Sequence, residues 1–254
     1  MGDLYLVRHG QASFGAADYD NLSALGRRQS LRLGQYLRER YGAGLRFDAV
    51  LTGTLRRQVQ TWEGIAEGAG LADTPYPSRA GPPQAASAPS GGSEDAAAPS
   101  VGAHILWPGL NEYDSHAVIR AIHPEPLPRP DTPERYRQHF RLLRDGLARW
   151  MAGDVQPEGM PSYSDFVHGV MSALDHVRSA FDGPVLIVSS GGPIATAVAQ
   201  VLQAPPATSI ELNLRIRNTA VTEFAYTPRR HMLVSYNTLP HLDAAPYRDW
   251  VTYA

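Results

Sequence analysis

Leu4-Tyr5-Leu6-Val7-Arg8-His9-Gly10 opens the chain with an apolar run that stops abruptly at a cation, an imidazole and a glycine, followed by Gln11-Ala12-Ser13. Such a run without polar alternation is what a strand buried on both faces looks like. In open α/β sheets ligands collect just beyond the carboxyl ends of these strands, so His9 points into the expected ligand crevice. Imidazole has an ordinary pKa of about 6.5 and is a competent nucleophile at neutral pH. His9 therefore has the chemistry to attack phosphorus. Arg8 keeps its charge and suits phosphate oxygens, and Gly10 lets the backbone turn close to a ligand.

The bulk numbers narrow the class. With 254 residues and 43% hydrophobic composition the chain has ample material for a core, and one domain spanning 1–254 is expected. A formal net charge of -2 offers no electrostatic reason to expect nucleic acid or an anionic membrane as partner. Any anion site must then be local. There is no cysteine, hence no disulfide framework, thiolate nucleophile or cysteine metal site. This fits a cytoplasmic address. Met1-Gly2-Asp3 leads into the first strand without a basic segment and apolar signal core, Leu6 stands where a myristoylation motif would need Ser or Thr, and no apolar run is long enough to span a bilayer.

Along the chain, Ser23 can cap a helix running to about Tyr41, with Leu25, Leu33, Tyr36 and Leu37 facing the core and Arg27, Arg28, Arg32, Arg38 and Arg40 forming a solvated side. Phe47-Asp48-Ala49-Val50-Leu51 reads as the second strand, followed by a Thr52-Gly53-Thr54 turn and a helix from near Leu55. Strand, turn and helix in succession begin a parallel α/β sheet. The stretch 77–103, rich in Pro, Gly, Ser and Ala, cannot repay the entropy of folding and is expected to be a loop. Thr132-Pro133-Glu134 starts a helix whose inward stripe is Tyr136, Phe140, Leu143, Leu147 and Trp150. Another spans roughly 164–181, with Phe166, Val170, Leu174, Val177 and Phe181 inward and His168 and His176 outside the stripe as solvated side chains rather than metal ligands. Val185-Leu186-Ile187-Val188 is a strand that breaks at Ser189-Ser190-Gly191-Gly192-Pro193 into a helix from about Ile194 to Leu202, and a strand, glycine turn and helix N-terminus make an anion site. Ala220 to Ala225 and Met232 to Tyr236 read as a hairpin around Thr227-Pro228-Arg229-Arg230, which would give the sheet an antiparallel member.

The Arg8-His9-Gly10 signature on a first strand resembles the histidine phosphatase superfamily, also called phosphoglycerate-mutase-like, and later segments extend the likeness. The resemblance implies a three-layer α/β/α sandwich around a mostly parallel sheet with an antiparallel member, and a phosphohistidine intermediate at His9 needing neither metal nor organic cofactor. Gly53 to Thr61 is similar to the family's Ser-x-Leu-x-Arg-x-x-Gln-Thr motif with Gly53 replacing the serine, so Arg57 inherits phosphate binding while Arg56 falls on another face. Leu110-Asn111-Glu112 resembles the segment carrying the general acid, which makes Glu112 that acid and Asp114 its reserve. His116 and His123 follow in the same region and receive no role. Residues 113–164 would form the insertion that shapes the substrate pocket.

The fourth motif departs from the pattern. Where the superfamily usually reads Ser-His-Gly-Gly, the chain reads Ser189-Ser190-Gly191-Gly192. Ser190 thus stands in the place of a second histidine that helps hold the phosphoryl group. A hydroxyl and the amides of Gly191 and Gly192 can still donate hydrogen bonds, but they bring no full charge. The implied activity is that of a phosphoric monoester hydrolase of histidine acid phosphatase type, acting on a phosphorylated small molecule or phosphoprotein. A weakened or inactive phospholigand-binding relative is the alternative. Phosphoglycerate mutase is disfavoured because Tyr113-Asp114-Ser115-His116 replaces Arg-His-Tyr-Gly, and a serine hydrolase built on Ser190 because Val188 stands where the nucleophile elbow needs glycine. His241 is a candidate to fill the space of the missing imidazole.

Overall fold

The first strand, β1 (Gly2–Arg8), lies in the interior of a seven-stranded sheet. The structure is a computed structural model that describes residues 1–13, 20–71, 78–79, 99–128 and 131–253. After α1 (Ala24–Tyr41) come β2 (Arg46–Phe47), β3 (Ala49–Thr52), α2 (Arg56–Ala69), β4 (Ser78–Arg79), β5 (Ser100–Val101) and β6 (His104–Leu106). The chain continues through α3 (Ser115–Arg120), α4 (Pro133–Ala152), α5 (Tyr163–Ala180), β7 (Val185–Ser189), α6 (Gly191–Val201), α7 (Pro206–Asn213), β8 (Val221–Thr227) and β9 (Arg230–Thr238). The sheet order is β4-β6-β3-β7-β1-β8-β9, with β8 antiparallel to both β1 and β9 and the remaining pairings parallel.

Period-two geometry divides the strand residues between two cores. Leu4, Leu6, Ala49, Leu51, Val185 and Ile187 face the layer of α4, α5, α6 and α7, whereas Val7, Val50, Leu186 and Val188 face α1 and α2. Buried on both sides, these strands show no polar alternation because no face meets water. The outcome is the expected three-layer α/β/α sandwich.

Local signals held where a cap or a long stripe carried them. Ser23 Oγ accepts from Gly26 N at the start of α1, and Thr132 and Ser162 cap α4 and α5. Of the residues expected to face the core on α1, Leu33 and Leu37 are buried, but Leu25 and Tyr36 are only half-buried. Gly26, Gln29, Ser30 and Gly34 are buried as well, with Ser30 and Gly34 against α2, Gly26 against Gln11, and Gln29 Nε2 donating to Trp250 O. The stripe of α4 is buried at Leu143, Leu147 and Trp150, while Tyr136 is 43% exposed. Its ring packs instead against Phe140 in a tilted arrangement at 4.7 Å, on a first turn that projects beyond the core. His176 is not a solvated side chain, for it stacks on Trp107 at 5.2 Å, whereas His168 is exposed.

Long-range pairing changed other elements. The expected strand over 47–51 is two strands broken at Asp48, whose amide donates to Pro184 O at 2.7 Å and whose carboxylate accepts from Gly183 N at 2.8 Å. Phe47 then pairs with Val101 instead of joining the main sheet. The segment 77–103 carries strands at both ends, and its stretch 80–98 lies outside the described residues. The helix expected from Ile194 begins at Gly191, and the short helices α3 and α7 were not anticipated.

The α1–α2 contact is backbone against backbone. A Cβ on Gly34 would lie 2.1 Å from Ile65 O, and one on Gly68 would lie 2.1 Å from Leu31 O. Gly34→Ala is therefore expected to destabilise the protein by about 1–3 kcal/mol through overpacking. Urea denaturation would measure it, and an unchanged midpoint would mean that the two helices separate without cost.

Candidate active site

The parallel register of β1 and β7 sets Arg8 beside Ser189, and His9 N donates to Ser189 O at 2.8 Å. The turn that follows β1 is held from several sides. Gly10 N donates to Thr61 Oγ1 at 2.9 Å, Asn218 Nδ2 to His9 O at 3.2 Å, and Thr219 N to Arg8 O at 3.1 Å. Thr219 adopts a φ of 55°, an uncommon conformation for a β-branched residue that costs about 1–3 kcal/mol. The backbone around the histidine is thus specified by the fold rather than by its own preference.

The imidazole tautomer follows from its partners. His9 Nδ1 lies 2.7 Å from Gly10 O, which can only accept, so Nδ1 carries the proton and Nε2 keeps its lone pair. Arg57 Nε donates towards that lone pair at 3.3 Å. Burial, then Arg8, then Arg57 hold the His9 pKa well below its ordinary value, and the Gly10 bond opposes them in part. The ring is a neutral base aimed at a cationic pocket.

Arg57 reaches the site from the first turn of α2, as its spacing implied, while Arg56 is exposed. Its guanidinium is clamped by Asp20, with Nη1 2.8 Å from Oδ1, and the other carboxylate oxygen accepts from Arg56 N at 2.9 Å. Asp20 was not anticipated, since nothing in its local sequence marks it. Arg8 is anchored by a bond from its Nη1 to Ile216 O.

Glu112 converges on the same place. Gly192 N donates to its Oε2 at 3.1 Å and Tyr113 N to its Oε1 at 3.3 Å. Burial raises its pKa, while the Gly192 N–H, Arg57, Arg8 and the Tyr113 N–H each pull it down by a smaller amount. The carboxyl is thereby biased towards holding a proton within the field of the two arginines. Gly192 is needed sterically, because a Cβ there would lie 2.1 Å from Glu112 Oε1. Its amide, expected to hold an anion directly, holds the carboxylate instead. Tyr113 packs beside Trp150 and Phe166 and accepts from Asn213 Nδ2 at 2.7 Å through its hydroxyl.

Asp114, the reserve acid, is exposed and caps α3 by accepting from His116 N and Ala117 N. His116 is exposed, and His123 Nδ1 lies 3.0 Å from Glu125 O, so both stay outside the cluster. Ser190 is fully buried, with its Oγ accepting from Gln58 Nε2 at 2.9 Å. Among the described residues no histidine bonds to it, so the base of a serine nucleophile is missing. His241 does not replace the imidazole. It is buried against Tyr36 with Nε2 2.9 Å from Thr219 Oγ1, and burial pushes its pKa down to about 3.

The model of the histidine phosphatase superfamily (branch 1) matches residues 4–77 and 131–239. No curated protein sequence matches the chain. Solved structures share the fold at low identity. YhfR of Bacillus stearothermophilus superposes with a TM-score of 0.60 at 17% identity, covering 95% of this chain and 99% of its own. A phosphoserine phosphatase of Entamoeba histolytica in complex with phosphoserine gives 0.56 at 18% identity, covering 95% and 100%. The α-ribazole phosphatase of Shigella flexneri gives 0.56 at 16%, covering 93% and 96%. With its Arg-His-Gly strand end, its sheet order and the matched residues in agreement, the chain belongs to the histidine phosphatase superfamily, branch 1.

Proposed function

We propose that the protein is a phosphomonoester hydrolase acting through a phosphohistidine at His9. The observation that carries this reading is the arrangement of a neutral imidazole with its Nε2 lone pair against Arg57 and a carboxyl biased towards its protonated form in the same cationic field. Nε2 attacks phosphorus in line, the ester P–O bond breaks, and Glu112 gives its proton to the departing alkoxide. Glu112, now a carboxylate, takes a proton from water as that water attacks the phosphohistidine, releasing phosphate and restoring both groups. Arg8, Arg57, Ser190 and the Gly191 amide stabilise the equatorial oxygens.

The substrate is a phosphorylated small molecule or phosphoprotein, and residues 113–164 shape its pocket. The related folds include enzymes named for phosphoserine, glucosyl-3-phosphoglycerate and α-ribazole phosphate substrates, and these names support a phosphatase reading. A second reading, a phospholigand-binding relative with weakened turnover, is favoured by the neutral Ser190 where a histidine is usual.

His9→Ala should abolish turnover. An acid quench of wild type after brief exposure to labelled aryl phosphate should leave acid-labile label, and label that persists in the variant would move the nucleophile elsewhere.

Glu112→Gln should slow alkyl phosphates by about 10²–10⁴-fold and p-nitrophenyl phosphate far less, since nitrophenolate needs little protonation. The pH profile of kcat/KM is expected to have its acid limb at the lowered His9 pKa, where protonation removes the nucleophile. Its basic limb lies at the raised Glu112 pKa, where ionisation removes the acid. Equal losses on both substrate types, or a basic limb that survives the substitution, would reject Glu112.

Arg57→Lys should lower turnover by about a hundredfold and weaken phosphate inhibition, because an ammonium cannot keep both the Asp20 clamp and the contact at Nε2. Arg56→Lys should be nearly silent. A reversed order in inhibition assays would contradict the phosphate-binding role of Arg57.

A further inference from the structure

Gly53 and Ser190, the two positions where the chain departs from its family's motifs, flank a single side chain. Gln58 is fully buried between them. Its Oε1 lies where a Cβ on Gly53 would sit 1.9 Å away, so a serine at 53 would collide with it. Its Nε2 donates to Ser190 Oγ at 2.9 Å and to Leu110 O at 3.0 Å, and Oε1 accepts from Leu55 N at 3.4 Å. Both amide protons are thus committed. Ser189 Oγ also donates to Leu110 O, at 2.7 Å, so Gln58 ties together the segment of Glu112, the end of β7 and the helix of Arg57.

We propose that Gln58 is a positioning residue that orients the Ser190 hydroxyl towards the phosphoryl group on His9, the two side chains together filling the volume that an imidazole at 190 would occupy. This rests on the phosphatase reading above. Nε2 can only donate, so Ser190 Oγ accepts and must direct its own proton elsewhere. Among the described residues no acceptor takes that proton. Ser190 follows the residue whose carbonyl accepts from His9 N, so its hydroxyl lies at the same strand end as the nucleophile. A loose serine hydroxyl would spread its donor over several rotamers, whereas one pinned by an amide presents it in one direction.

The test is a double-mutant cycle on the full chain with Gln58→Met, which keeps volume but removes the amide, and Ser190→Ala. Orthovanadate affinity and the kinetics of p-nitrophenyl phosphate hydrolysis are read in parallel, with melting temperature as the check on folding. Each single variant should lose about tenfold in vanadate affinity and in kcat with KM changing less, and the double variant should lose no more than Gln58→Met alone. Losses that multiply, or a Gln58→Met protein equal to wild type, overturn the proposal. Ser190→His should impair the protein when Gln58 is present and recover activity when combined with Gln58→Ala. Equal behaviour in both backgrounds overturns it too, and this comparison decides the matter should Gln58→Met fail to fold. If wild type binds vanadate but shows no turnover, the phosphatase reading fails while the vanadate cycle still decides the role of Gln58. A wild type that binds no vanadate overturns both.

Discussion

The parallel pairing of β1 with β7, closed at its carboxyl end by the hydrogen bond from His9 N to Ser189 O, is the constraint from which the rest of the site follows. Because the two strands end in register, the residues just beyond them must diverge on opposite sides of one crevice. Val7 and Val188 are buried at the last hydrophobic level, and the chain can expose polar chemistry only after that point. A one-residue slip would turn His9 into a core face and send Val7 towards the ligand. The apolar strands therefore hold the imidazole in place as firmly as any contact it makes with its own side chain.

Electrostatically, the site is a shallow positive well inside a chain of small net charge. Arg8 and Arg57 are both buried, and a buried cation without compensation would be costly. Among the described residues the compensation includes a backbone dipole and a carboxylate. Ile216 O faces Arg8, and Asp20 faces Arg57. Burial and the two arginines together keep the imidazole neutral, whereas Glu112 has its pKa raised by burial against the pull of those same arginines.

What could be read from the sequence was what depends on neighbours in sequence or on a recurring pattern. Leu4 to Gly10, Val185 to Ser189 and the Ser23 cap each declare themselves within a few residues. The break at Asp48 was hidden, because it answers to Pro184 and Gly183 more than a hundred residues away. Asp20 and Gln58 were hidden for the same reason. Each looks like an ordinary polar residue until the fold brings Arg57 to one and Ser190 to the other. Thr219 carries no sequence signal for a left-handed backbone, since its conformation is imposed by the β1 end that it supports.

The way Glu112 is held has a consequence for how such a protein can diversify. Its carboxylate is anchored by the Gly192 amide at the start of α6, and the carbonyl of Leu110 is anchored by Gln58 and Ser189. All of these anchors lie outside the stretch that runs from α3 to α5. Length and sequence can therefore drift in the connection from α3 to α4 without displacing the Glu112 carboxyl, while α5 is held to the same segment by the backbone contact of Gly109 with Gly169 and evolves under a tighter constraint.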